Sequence, residues 1–196
     1  MSKTKTVIRK ARMDDVRPIH GLLNYFADKR ELLPRALSEV YENLQQFFVV
    51  THNKTVVGCC ALYVTWNGLA EVKALAVHPD YQGRGLGKKL LKTTVVEAKK
   101  LGVEMLFTLT IREGLFKKFG FKRTKKSMLP HKVWTECVRC PYFPDSCIET
   151  SLTLELVKRK KTGTRDMTEN FMSTSQPTVP SEPSMPPPSP PPIPRP

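Results

Sequence analysis

No stretch of the sequence leaves less freedom than Val77-His78-Pro79-Asp80-Tyr81-Gln82-Gly83-Arg84-Gly85-Leu86-Gly87-Lys88. Residues 69–77 before it form an apolar run of strand type, and residues 86–100 after it carry helical periodicity. A strand, a short loop and a helix thus follow one another, with three glycines at the junction. Glycine lets backbone approach a ligand closely. The first turn of a helix points N–H groups without intrahelical partners into such a loop, and the helix dipole favours an anion there. Arg84, Lys88 and Lys89 add positive charge. Together these features describe a pyrophosphate-binding loop. Spacing excludes two familiar nucleotide loops. The G-x-x-x-x-G-K-[ST] pattern needs Gly where Gln82 stands and Ser or Thr where Lys89 stands, and G-x-G-x-x-G needs Gly at Lys88.

The rest of the chain supplies a mixed α/β domain. Residues 6–11 read as a strand. Residues 14–29 read as a helix with an aspartate cap, and Val16, Ile19, Leu22, Leu23 and Phe26 share one face. A shorter helix is expected over 35–44. Strands 47–51 and 56–66 flank the turn His52-Asn53-Lys54, and Asn67-Gly68 is a hairpin turn into strand 69–77. The helix 86–100 ends at Gly102, a residue suited to the left-handed C′ position. Residues 104–109 form a strand, 113–119 a short helix and 152–156 a last strand. The predicted order is β α α β β β α β α β, within a domain spanning 1–157.

Beyond residue 157 the composition changes. Eleven of the 17 prolines lie in the last twenty residues, behind a basic run and a Ser/Thr-rich bridge. Such a segment buries too little apolar surface to fold, so residues 158–196 are expected to be a disordered tail, polyproline II at its end. It serves as a spacer or as a docking site for a proline-binding module. The formal net charge of +14 favours anionic partners, either nucleic acid or a phosphate-bearing cofactor with an acidic substrate. No aromatic-studded strand of the RNA-binding kind is present, so nucleic acid is the lesser reading, beside a non-catalytic module that only binds a phosphate-bearing cofactor. No run of about 18 apolar residues exists to span a membrane. The basic, acid-free residues 1–13 faintly resemble a transit peptide, but Val7-Ile8 followed by Asp14-Asp15 reads better as a strand entering a helix. Five cysteines are an odd number, and Cys59 and Cys60 sit in an apolar run as core thiols. A reducing, cytoplasmic compartment is expected.

Gln82-Gly83-Arg84-Gly85-Leu86-Gly87 matches the Q/R-x-x-G-x-G/A signature of GCN5-related N-acetyltransferases (GNAT), and the chain resembles that family over residues 6–157. Leu75-Ala76-Val77-His78-Pro79-Asp80-Tyr81 and Lys118-Phe119-Gly120-Phe121 carry the resemblance on either side. It implies a GNAT fold: a central, mostly antiparallel sheet, splayed at the cofactor site and flanked by helices. It implies acetyl-CoA as co-substrate, with the backbone of Leu75, Ala76 and Val77 on the pantetheine arm and thioester. The pyrophosphate falls to Gln82, Gly83, Arg84, Gly85, Leu86, Gly87 and Lys88. A substrate amine then attacks the thioester directly. Glu71, six residues before Val77, stands where many members carry the catalytic base; alternation places it on the face of Val77 unless a bulge intervenes. Its other reading is an exposed strand residue paired with Lys73 or Arg112. Phe116 occupies the position of the tyrosine that serves many relatives as acid.

One branch is closer. Ile8-Arg9-Lys10-Ala11, Leu33-Pro34-Arg35, Phe47-Phe48-Val49-Val50 and Leu106-Phe107-Thr108-Leu109-Thr110 resemble the acetyltransferase domain of bacterial N-acetylglutamate synthases, in a stand-alone form. That resemblance implies glutamate as acceptor and a role in arginine biosynthesis, with a peptide amine or another small amine as the alternative. Arg35 is the substrate-binding candidate, followed by Lys132 and Arg9; a solvated helix-start cation is the other reading of Arg35. The oligomeric state stays open, with a homodimer among the options. No metal is expected, since a single C-x2-C is a weak signal; His131, Cys137, Cys140 and Cys147 are the residues that could form a tetrahedral site.

Overall fold

The structure is a computed structural model that describes residues 6–129, 137, 138, 140, 142 and 146–157. His131, Lys132 and the tail 158–196 lie outside the described residues. Seven strands form one sheet in the order β1-β2-β3-β4-β5-β7-β6. They are β1 (Thr6–Lys10), β2 (Phe47–His52), β3 (Thr55–Trp66), β4 (Leu69–Val77), β5 (Met105–Thr110), β6 (Lys122–Arg123) and β7 (Thr150–Glu155). Every pairing is antiparallel except β4 with β5. Residues 6–10 therefore belong to the domain as its edge strand, paired with β2.

Turn chemistry explains the meander. Asn53 and Lys54 both take positive φ, the backbone of a two-residue turn matched to strand twist. At Asn67-Gly68 only Gly68 is left-handed, and the β3–β4 register slips between Val64 and Trp66. A glycine bulge therefore closes this hairpin.

Helices cover both faces. α1 (Val16–Ala27) buries Val16, Ile19, Leu22, Leu23 and Phe26, as its period requires, and α2 (Leu37–Glu42) adds Val40. They share a core with Phe47, Val49, Cys59, Ala61 and Ala76. α3 (Leu86–Lys100) buries Leu86, Leu90, Leu91, Thr94 and Ala98 against the opposite face, with Val50, Cys60, Leu62 and Val72. α4 (Glu113–Lys117) buries Phe116, edge-on to Phe121 at 5.3 Å. Each fully buried Leu or Ile contributes about 1.5–3 kcal/mol. The helix expected over 14–29 begins instead with a 3-10 turn, because the Asp15 carboxylate is used there. It accepts from Arg12 N at 2.7 Å and from Arg9 Nη1 at 2.5 Å. Arg9 is thereby anchored beside α1 and does not line the cleft described below.

Candidate active site

The sheet opens where β4 and β5 part. Their parallel register covers only Leu69↔Met105, Ala70↔Leu106 and Glu71↔Phe107. The Thr108 hydroxyl then donates to the Val72 carbonyl at 2.9 Å, and past it the strands line a cleft of about 290 Å³. Residues 71–77, the end of β5, the α1–α2 connection and residues 137, 140, 147 and 149 form its walls.

β4 is bulged inside this cleft. Cys59 pairs with Ala76 but Ala61 pairs with Lys73, so Ala74 and Leu75 together face Cys60. Ala74 pays for the extra residue with φ +53°, and its carbonyl accepts from the Cys59 thiol at 3.4 Å. The bulge reverses the alternation. Val72, Leu75 and Val77 turn toward the α3 side, whereas Ala76 faces the α1 core. Glu71 consequently does not share the face of Val77, and the expectation drawn from unbroken alternation is corrected. Nor is Glu71 an exposed strand residue: it is 7% exposed, lines the cleft, and lies 3.1 Å from Lys73 Nζ.

The glycine loop lies at one end of the cleft, which Gln82 and Gly87 line. Gly83 and Gly85 both have φ +74°, which L side chains rarely adopt, and an added Cβ at either would meet nothing within 4 Å. Gly85 is the N-cap of α3, and the first helical bond runs from Lys89 N to Gly85 O at 3.0 Å. The N–H groups of Leu86, Gly87 and Lys88 therefore lack a carbonyl one turn back. Gln82 Nε2 donates to Val77 O at 2.9 Å, tying the loop to the strand end, and Arg84 Nη2 donates to Asp80 O at 2.8 Å. A Cβ at Gly87 would stand 3.8 Å from Val77 and 3.6 Å from Leu115, so the helix start abuts the cleft wall. Phe116 also lines this wall.

The opposite end holds charge. Arg35 lines the cleft just before α2; its backbone N–H donates to Asn24 Oδ1 at 3.1 Å, and its guanidinium pairs with Glu39. Arg112 pairs with Glu31 at 2.6 Å, joining the α1–α2 connection to the end of β5. Cys137, Cys140 and Cys147 line the cleft as free thiols, and Lys126 Nζ donates to Cys147 Sγ at 2.9 Å. Among the described residues no group of His, Cys, Asp or Glu side chains is arranged to hold a metal ion.

Residues 43–123 match the acetyltransferase (GNAT) domain family. An uncharacterized N-acetyltransferase of Chlorobaculum tepidum is 32% identical over 141 residues, which are 72% of this chain and 91% of that protein. The chain belongs to the GNAT acetyltransferase family. An amino-acid acetyltransferase of Mycobacterium tuberculosis is 33% identical over 138 residues, covering 69% of this chain and 79% of that one. A crystal structure of a Mycobacterium tuberculosis protein in complex with CoA superposes with a TM-score of 0.68 at 30% identity, over 77% of this chain and 99% of that one.

Glu149, which lines this acetyltransferase's cleft, and Lys126, whose charge acts on it, both escape sequence reasoning. Glu149 immediately precedes β7 and lines the cleft. Burial raises its carboxyl above the usual carboxylate range, against the opposing pull of Lys126, Arg35 and Lys73. Lys126 sits in a 3-10 turn after β6. Neither carries a motif, and the cations around Glu149 come from positions 35, 73 and 126, so only the folded sheet brings the group together. Of the residues expected to hold the cofactor, Leu75, Ala76, Val77, Gln82 and Gly87 line the cleft, as does Arg35. No helix among the described residues is long and apolar enough to cross a membrane.

Proposed function

We propose that this acetyltransferase moves the acetyl group of acetyl-CoA to the α-amine of an anionic amino acid, with L-glutamate as the leading acceptor. The observation that carries the reading is a single cleft with unlike ends. One end is a helix start with three unbonded N–H groups and two left-handed glycines, chemistry that suits a pyrophosphate. The other end places Arg35, Lys73 and Lys126 around a carboxylate, chemistry that suits a molecule bearing both carboxylates and an ammonium. Similarity to a relative named amino-acid acetyltransferase supports the same acceptor class.

In this reading Leu75, Ala76 and Val77 run along the donor's thioester arm. The bulge at Ala74 and the departure of β5 leave this strand edge open for it. Backbone donors there polarise the carbonyl as charge builds on its oxygen. Arg35 orients the acceptor's carboxylate. The amine attacks the carbonyl carbon, the C–N bond forms, the C–S bond breaks, and CoA departs as its thiolate. Phe116 offers no proton to it.

Two measurements test the reading. Calorimetry with CoA and with duplex DNA separates donor binding from a nucleic-acid module. Gly85→Glu should abolish CoA binding, because a bulky anion would occupy the phosphate site at a strained φ. CoA release assayed across amino acids, polyamines and basic peptides identifies the acceptor. Turnover of peptides with glutamate inert would reject the amino-acid reading, and DNA binding without CoA binding would reject the enzyme.

A further inference from the structure

We propose that Glu149 is the group that takes the proton from the acceptor's ammonium, with Glu71 acting through Lys73 as a positioning residue. The proposal rests on the acetyltransferase reading and deepens it. Three carboxylates line the cleft; Glu31 is held by Arg112 at 2.6 Å, and the surroundings of the other two, Glu71 and Glu149, differ. Glu71 lies 3.1 Å from the ammonium of Lys73, both side chains are about nine-tenths withdrawn from water, and that ammonium also sits 5.0 Å from the ring of Tyr63. Protonating Glu71 would remove a counter-ion from a buried cation, which is costly. Glu149 is placed otherwise. It stands at the start of β7, where Thr150 pairs with Thr110 of the diverging strand β5. It lines the cleft beside the part of β5 that has left β4.

The groups that face Glu149 come from every side. Lys126 lies in the turn after β6, Arg35 before α2, and Lys73 on β4, each favouring its ionised form. Among the described residues the Cys137 thiol is a further neighbour, itself raised by burial and by the Glu149 charge. Burial outweighs the three cations and holds the Glu149 carboxyl above the ordinary range. A carboxylate so raised is a stronger base than an ordinary one. The same three cations suit the acceptor's carboxylates, so an anionic amino acid bound among them would bring its ammonium to the carboxylate they surround.

The step balances as follows. The acceptor ammonium gives one proton to Glu149, which becomes a neutral carboxylic acid, and the free amine attacks the thioester. As the C–S bond breaks, the second proton on nitrogen passes to the leaving thiolate. Glu149 then returns its proton to water.

The experiment is kcat/KM against pH for the full chain, for Glu149→Gln, Glu149→Asp and Glu71→Gln, with CoA affinity measured on each. In the wild type kcat/KM should rise with pH to a plateau, along a limb centred above the usual carboxylate range. Glu149→Gln should lower the plateau about 10²–10⁴-fold and erase that limb, with CoA affinity unchanged. Glu149→Asp keeps an ionisable carboxyl and should recover the limb at a reduced plateau. Glu71→Gln should lower the rate while keeping the limb. A Glu149→Gln enzyme that keeps both rate and limb, or equal losses in the Asp and Gln variants, would overturn the proposal while leaving the acetyltransferase reading intact. A wild type inert toward every amine tried, yet folded, would overturn both.

Discussion

Asp15 is buried and Glu149 half-buried, and their neighbours send them in opposite directions. Burial alone would raise Asp15, but hydrogen bonds from Arg9 and the Arg12 backbone more than offset it and hold the carboxyl below its usual range. Its contribution to stability is present above the unfolded pKa of about 3.9 and is lost as pH falls through the folded value. Glu149 is raised, so the sign reverses. Its contribution is complete below about pH 4.3 and disappears as pH rises through the folded value. Glu149→Gln should therefore raise Tm at pH 7–8 and leave it unchanged near pH 4, a stabilisation paired with lost activity; scanning calorimetry at the two pH values checks it. Arg35→Ala removes a charge-assisted contact of about 1.5–3 kcal/mol, so KM for the acceptor should rise about 10- to 100-fold. CoA affinity, read by calorimetry, should not change. Glu71 and Glu149 illustrate what one-dimensional reading misses. Glu71 was visible because it keeps a fixed distance from Val77, whereas Glu149 acquires its character from Arg35, Lys73 and Lys126.

At the scale of elements, local rules carried most of the fold. Period-2 runs, the Asn53-Lys54 turn and the glycines at 83, 85 and 102 were legible because each is decided by a few adjacent residues. The bulge was not, since Ala74 has no glycine's freedom, and its φ of +53° goes with the extra residue in the pairing of β4 with β3. β6, two residues long, carries too short a pattern to be read. The bulged strand depends on a close approach behind it. A Cβ at Gly58 would fall 2.8 Å from Val50 Cγ1 and 3.0 Å from the Ala76 carbonyl oxygen. Gly58→Ala should therefore cost about 1–3 kcal/mol. It should also displace Ala76 in the cleft, weakening CoA binding. Urea midpoints and calorimetry on the same variant measure the two effects together.

Across the whole molecule the five cysteines divide by depth. Cys59 and Cys60 are fully buried in the two faces of the sheet, and burial pushes the Cys60 thiol up to about 12. Cys137, Cys140 and Cys147 are only half-buried at the cleft. A maleimide added to the native protein should modify these three and reach the other two only after unfolding, as intact-mass measurement before and after denaturant would show. Occupying the cleft with acceptor should slow the reaction. Slower labelling would not follow if the thiols reacted from a surface away from the cleft. The family assignment and the loop were visible in the sequence because they are contiguous; the acceptor end was not, because four separate segments build it. One feature of the sheet reaches furthest. Strands β1–β4 and strands β5–β7 meet through only three register pairs, Leu69–Glu71 against Met105–Phe107. The single sheet thus has two halves joined by a short seam. A donor lying in the open part of the seam, as proposed, would touch both halves and act as a keystone. At a hundred times its Kd it would add about 2.7 kcal/mol to the joined state, so amide hydrogens on both sides of the seam would exchange more slowly once it is bound.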